Sequence, residues 1–378
     1  MIYLDNAATS FPKPAQTIRS LNDFVLNCGG NPGRSGHTLS VDAARVIFEA
    51  REKLASFVGG VDSERLIFTQ NGTESLNLAI LGLLREKDYV ITTTLEHNSV
   101  MRPLTYLQRT REIRLSQVRC SPDGIIDLEH LERLVQEHPS AVIINHGSNV
   151  IGTVQPLHVI RKIIGDAVLI VDACQTVGAI PLHIERNGID VLCFSCHKSL
   201  YGIQGLGAVY IRDGIDPVPL RFGGTGSKSE SVEQPLVLPD RYESGTPNTP
   251  GIASLLGGLS FIEETGLESI ARREKLIREK IIEELTGVKG LKIYGIVTPS
   301  EDTIPVISFN VGKKMPSEVG YLLNKENIYT RVGLHCSPVA HRTIGTYPHG
   351  TVRVSPGFFT SEEDVELFIK AVRDIAIG

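Results

Sequence analysis

Residues 168–175 read VLIVDACQ and residues 191–198 read VLCFSCHK. Each is a short continuous apolar run that ends in groups able to do chemistry, Asp172 in the first and His197-Lys198 in the second. Unbroken apolar runs of this length suit strands buried on both faces, which is the habit of parallel sheets covered by helices. Leu66-Ile67-Phe68, Tyr89-Val90-Ile91 and Ala141-Val142-Ile143-Ile144 repeat the pattern, with segments such as Ser75 to Leu84 carrying apolar residues at helical spacing between them. The stretch from about 60 to 215 therefore predicts an α/β domain with a largely parallel sheet.

Polar residues follow each predicted strand: Thr73-Glu74, Glu96-His97-Asn98, Ser148-Asn149, Asp172 and His197-Lys198. Open α/β sheets bind ligands beyond the carboxyl ends of their strands, so these clusters predict one site drawn from distant parts of the chain. Residues 215–250 are rich in Gly, Pro and Ser and read as irregular connection. Leu267 to Leu285 reads as a charged amphipathic helix. A final helix opens on the capping sequence Ser361-Glu362-Glu363-Asp364 and turns Val365, Phe368, Ile369 and Val372 to one face. Val306–Phe309 and Thr351–Val354 read as strands between those helices. This divides the chain into a large domain, 14–255, and a small α+β domain, 256–378 together with 1–13.

Composition narrows the function. The chain has 378 residues, 41% hydrophobic and 21% charged, with a net charge of −5. Its basic clusters sit among acids, which predicts no nucleic-acid partner. There is neither a basic-then-apolar leader nor a membrane-length apolar stretch, which predicts a cytosolic protein without membrane association. Six scattered cysteines fit reduced thiols better than a disulfide framework. Cys193 and Cys196 have C-x-x-C spacing, but they flank a buried strand and lack partner ligands, so they read as core thiols and no metal site is expected.

A lysine is seldom buried unless paired or chemically committed. Lys198 as a Schiff-base lysine, with Asp172 keeping a pyridine nitrogen protonated, is what pyridoxal phosphate requires. Taken singly, an aspartate after a strand is also a common helix cap. Gln70-Asn71-Gly72-Thr73-Glu74 joins a strand to a helix whose N-terminal amides can cradle a phosphate, or simply form a capped turn. Ser195 and His197 are further phosphate donors. His97 can stack on the cofactor ring and shuttle protons, or serve structure alone. Cys336, in Arg331-Val332-Gly333-Leu334-His335-Cys336-Ser337-Pro338, is a loop thiol near a cation and suits a nucleophile, or is an incidental surface cysteine. Arg353 suits a carboxylate partner or a structural ion pair. No nucleotide-binding glycine loop is present.

Taken together these stretches resemble the cysteine desulfurases of the class V aminotransferase family, pyridoxal-phosphate enzymes of fold type I. The resemblance also runs through Tyr3 to Ala8, Arg34 to His37, Ser148 to Thr153 and Gly245-Thr246-Pro247-Asn248-Thr249. It implies that Lys198 carries pyridoxal 5'-phosphate, Asp172 pairs the pyridinium and Gln175 bonds the phenolic oxygen. His97 would stack on the ring, while Gly72, Thr73, Ser195 and His197 bind the phosphate. Thr246 would reach the neighbouring subunit's phosphate in a homodimer. Asn149, Arg353, Ala7 and Arg331 would hold the substrate. Cys336 would take sulfur from L-cysteine as a persulfide and pass it to an acceptor protein, as in iron–sulfur cluster assembly. The short Gly-Leu-His-Cys loop resembles the group II, Suf-type and selenocysteine lyase-like branch. Cys196, the extra Ser199 and Gly33 (where the family has histidine) depart from the pattern. Selenocysteine lyase and cysteine sulfinate desulfinase share the same motifs. An aminotransferase leaves Cys336 unexplained, a non-catalytic sulfur relay leaves the cofactor motifs unexplained, and a cysteine protease built on Cys336 and His341 leaves all the other motifs unexplained.

Overall fold

A computed structural model of the chain describes residues 1–33 and 35–377; the expectation for Arg34 lies outside the described residues. The five apolar runs are strands of one seven-stranded sheet. In spatial order its strands are Leu66–Thr69, Gly207–Ile211, Val191–Ser195, Val168–Asp172, Ala141–Asn145, Tyr89–Thr93 and Arg114–Val118. Every strand runs the same way except Gly207–Ile211, which lies antiparallel to both of its neighbours.

Side chains that alternate along one strand enter different cores. Leu169 and Val171 join the core that includes Leu54, Ile160 and Leu255, while Ile170 joins the core that includes Leu76 and Leu104. Both sheet faces are therefore dry, which is why these strands read as continuous apolar runs. Chain progression reverses beside Tyr89–Thr93: the next strand, Arg114–Val118, lies to one side, and the later strands Ala141–Asn145, Val168–Asp172 and Val191–Ser195 step away on the other. Such a reversal opens a crevice at the carboxyl ends of the strands.

The second sheet has four antiparallel strands in the order Arg331–Gly333, Thr351–Val354, Ile307–Val311 and Leu291–Tyr294. Its core joins Phe309, Val352 and Val354 to Val365, Phe368, Ile369 and Val372 of the last helix, Glu362–Ile377, as the apolar spacing predicts. That helix starts on a reciprocal cap: Asp364 N donates to Ser361 Oγ at 3.1 Å, and Ser361 N donates to Asp364 Oδ2 at 3.0 Å. Ile2 and Leu4 enter the same core, and the strand Ile2–Tyr3 pairs in parallel with Ile328–Tyr329.

One boundary differs from expectation. Position 255 falls inside the continuous helix Thr249–Thr265, whose Ile252, Leu255, Leu259, Phe261 and Ile262 all pack in the large core. The change of core comes later, along Leu267–Leu285, where Ile270 belongs to the large core and Ile281, Ile282 and Leu285 to the small one. Arg353 is the third residue of its strand, Thr351–Val354. Among the described residues, no helix is long and apolar enough to cross a membrane.

Arg51 makes two near-parallel bonds to Glu243, Nη1 to Oε1 at 2.7 Å and Nη2 to Oε2 at 2.8 Å, and Phe68 N donates to the same carboxylate at 2.6 Å. Removing one member leaves the other charge buried and unpaired. Arg51→Ala should therefore lower the free energy of unfolding by roughly 3 kcal/mol in a denaturant titration. A loss within about 0.5 kcal/mol, the scale of an exposed pair, would contradict this.

Candidate active site

The carboxyl edge of the large sheet faces the N-terminal segment and the small sheet across a cleft of about 210 Å³. Its walls bring together Ala7, Gly72, Thr73, His97, Asn149, Asp172, Gln175, Ser195, His197, Lys198, Arg331 and Arg353. These come from both sheets and from the first ten residues of the chain.

One end of the cleft is built for an anion. Asn71 caps the helix Gly72–Leu83, with its Oδ1 accepting from Glu74 N at 2.9 Å, and leaves Gly72 and Thr73 at the cleft. A side chain at position 72 would collide with Cys174 Sγ, so glycine allows the helix start to lie close against the Asp172–Gln175 turn. Ser195 Oγ and His197 Nδ1 are buried there without a protein partner. Buried polar atoms are rarely left unpaired, so these two are groups in need of a ligand. Burial, then Lys198 and Lys13, depress the His197 imidazole to about 4, so it is neutral. Glu74 does not share in this end of the cleft. It closes the helix cap by accepting from Gln70 N at 2.6 Å and pairs with Arg221.

Asp172 ends its strand with 3% of its surface exposed, and its Oδ1 accepts from Cys174 N at 3.0 Å. Lys198 follows the neighbouring strand and reaches into the same cleft. Enclosure holds its ammonium below the usual lysine range, although Cys174 and Asp172 pull the other way. Gln175 lies beside them, and its Nε2 donates to Ala7 O at 3.1 Å.

His97 is the N-cap of the helix Asn98–Thr110, a few residues beyond the strand that ends at Thr93. Its Nδ1 accepts from Ser99 N at 3.1 Å, which places the ring proton on Nε2. Burial lowers its pKa, so it is a neutral donor. Arg353 is 2% exposed; Nη1 donates to Asn149 O at 2.9 Å, Nη2 pairs with Asp5 Oδ1 at 2.7 Å, and Nε has no protein partner.

Two expected residues stand apart from the cleft walls. Cys336 is exposed, while its neighbour His335 lines the cleft. Thr246 is exposed and borders a separate hollow beside Arg221 and Glu243. Ala8, Asn71, Ser99, Asn145, Cys174 and His335 line the cleft without having been expected there. Ser99 and Asn145 sit next to strand ends already identified, and His335 precedes the loop cysteine, so position along the chain was their available signal.

The family of the chain follows from comparison with known proteins. Residues 2–368 match the model of the class V aminotransferases. The chain belongs to the class V aminotransferase family. A probable cysteine desulfurase of Pyrococcus abyssi is 32% identical, over 99% of this chain and 94% of that one. A cysteine desulfurase of Escherichia coli O139:H28 is 30% identical, over 99% and 93%. The apo structure of a cysteine desulfurase from Thermococcus onnurineus NA1 superposes with a TM-score of 0.94 at 31% identity, covering 100% of this chain and 95% of the other. Class V aminotransferases use pyridoxal 5'-phosphate. The cleft fits that group: unpaired buried polar atoms beside a helix start, a buried carboxylate at a strand end, and a lysine in the same cleft.

Beneath His97, Glu96 is fully buried. Its Oε1 accepts from Thr93 Oγ1 at 2.7 Å and Asn145 N at 3.0 Å, and Oε2 has no partner. Burial lifts its carboxyl from 4.5 to about 8. Between those values the folded protein keeps a proton that the unfolded chain releases, so this group's contribution to stability falls as pH rises through that window. Glu96→Gln should flatten that part of the profile, gaining roughly 2–4 kcal/mol relative to wild type between pH 5 and pH 9. Parallel unfolding profiles for the two proteins would show that Glu96 is ionised in the fold.

Proposed function

We propose that this protein is a pyridoxal-phosphate-dependent cysteine desulfurase that converts L-cysteine to L-alanine and leaves the sulfur as a persulfide on Cys336. The observation that carries the reading is how an exposed thiol is tied to the cofactor cleft. Cys336 O accepts from Asn98 N at 2.8 Å, directly after His97, and His335 forms part of the cleft wall. A transaminating site has no use for a nucleophile held in this way.

Lys198 would hold the cofactor, with Asp172 for its ring nitrogen, Gln175 for its phenolic oxygen, and Gly72, Thr73, Ser195 and His197 for its phosphate. When bound, the cofactor withdraws electrons from the substrate α-carbon. Lys198, whose amine loses its proton more readily than an ordinary lysine, moves the proton at that carbon. The unpaired Nε of Arg353, with Arg331 and Asn149, receives the substrate carboxylate. Ala7 closes the cleft beside Gln175. His97 presents its Nε2 proton to the substrate. The Cys336 thiolate bonds to the substrate sulfur as the sulfur–carbon bond breaks, and the electron pair left on the substrate β-carbon takes up a proton to give alanine.

The exposed Thr246 suits a homodimer in which it reaches the partner's cofactor phosphate. An exposed Cys336 suits an acceptor protein as the next holder of sulfur. All six cysteines are unpaired, in keeping with a reducing, cytoplasmic setting.

The test is turnover of L-cysteine, L-selenocysteine and cysteine sulfinate side by side. Wild-type protein should release alanine and sulfide from cysteine. Cys336→Ala should fall to below about a hundredth of that rate, and Lys198→Ala should lose both turnover and the visible absorbance of protein-bound cofactor. Sulfide release that survives Cys336→Ala would remove the nucleophile and favour the sulfinate or selenium chemistry.

A further inference from the structure

Nothing in the local sequence accounts for the backbone that carries Cys336. His335 and Cys336 both take left-handed conformations, with φ of 49° and 58°. Residues with a β-carbon seldom do so, and two in succession persist only when the surroundings impose them.

One constraint is local, Ser337 N donating to Leu334 O at 2.8 Å across the turn; the others come from remote parts of the chain. His335 O accepts from Asn149 Nδ2 at 2.8 Å, and Cys336 O accepts from Asn98 N at 2.8 Å. The His335 ring is anchored as well, with Nε2 3.1 Å from Thr351 Oγ1. Ser308 Oγ donates to Val150 O at 2.6 Å and lies 2.9 Å from Thr351 Oγ1. Ser308 has one proton and spends it on Val150, so Thr351 must donate to Ser308 and His335 Nε2 must donate to Thr351. The chain of bonds runs in one direction and fixes the ring.

Ser337 supplies the remaining constraint. It occupies the N-cap of the helix Pro338–Thr343, where a serine ordinarily turns its oxygen back onto the first amides. Here it makes no such bond. The side chain is fully buried and donates to Asn149 Oδ1 at 2.8 Å, across 188 positions of sequence. Asn149 thus gives both ends of its amide to the turn, and the same residue lines the cleft.

We propose that Ser337 is a positioning residue for Cys336: with Asn149 it clamps the 335–337 turn, so that the thiol is presented at a fixed place beside the cleft instead of on a swinging loop. The clamp itself is independent of the desulfurase reading, which it uses only for the task of the thiol.

The test is carried out on the cofactor-loaded protein, with amide hydrogen exchange across residues 334–338 and steady-state kinetics with cysteine. Ser337→Ala sacrifices no helix cap, because none is made. It should speed exchange of this peptide about tenfold, the scale of one lost hydrogen bond. It should lower kcat for sulfide release by about tenfold and leave KM within about twofold, because Asn149 stays held by His335 O and Arg353 and the two arginines at the substrate carboxylate keep their places. Asn149→Asp keeps an acceptor for Ser337 but loses the donor to His335, and should free the same peptide. Exchange unchanged in both variants would overturn the clamp, as would a Ser337→Ala protein that loosens the turn but keeps its kcat. Wild-type protein that yields no sulfide from cysteine would end the desulfurase reading while leaving the exchange comparison intact.

Discussion

The buried guanidinium of Arg353 is the contact on which the arrangement of the cleft depends. Its charge has left water almost entirely and is balanced by the Asp5 carboxylate and the Asn149 carbonyl. Those three residues belong to the small sheet, the N-terminal segment and the turn after a central strand of the large sheet. A guanidinium out of water is tolerable only with well-placed partners, so its position fixes theirs. Through Asn149 the constraint passes on to the turn at Cys336.

The same desolvation sets the chemistry of the cleft. Lys198, His97, His197 and His335 are all pushed toward their neutral forms, in each case chiefly by burial. A site lined this way offers neutral nitrogen bases and donors beside a few fixed charges. Proton transfer at a carbon atom calls for that balance, and a solvent-filled groove does not supply it.

Much of this is legible in the sequence because it rests on local pattern. Continuous apolar runs mark strands dry on both faces, and polar residues directly after them mark the cleft edge, so Asp172 and Lys198 could be paired without knowledge of the sheet order. The cap at Ser361 and Asp364 is equally local. What escaped depends on partners far away in the chain. Gly207–Ile211 looks like any apolar strand, and only its pairing shows that it runs backwards. Arg353 reads as a carboxylate clamp or a structural ion pair, and only the fold shows two of its bonds spent on Asp5 and Asn149. Ser337 looks like a helix cap and is engaged elsewhere. The exposure of Cys336 and the burial of His335 differ for adjacent residues, a contrast that loop composition does not encode.

The N-terminal segment has a consequence for biosynthesis. Ala7 N donates to Ser355 Oγ at 2.9 Å, Asp5 bridges to Ser355, and Ser10 N donates to His197 O at 3.2 Å. Residues 5–7 therefore have no complete seat until residues near 355 have been made. The large sheet can assemble during translation, since domains fold as units from the N-terminal side. The cleft cannot, because one of its walls is an early segment held against a much later one. A nascent chain would expose no finished reactive pocket while still being made, and activity would switch on only once the C-terminal sheet closes over its own beginning.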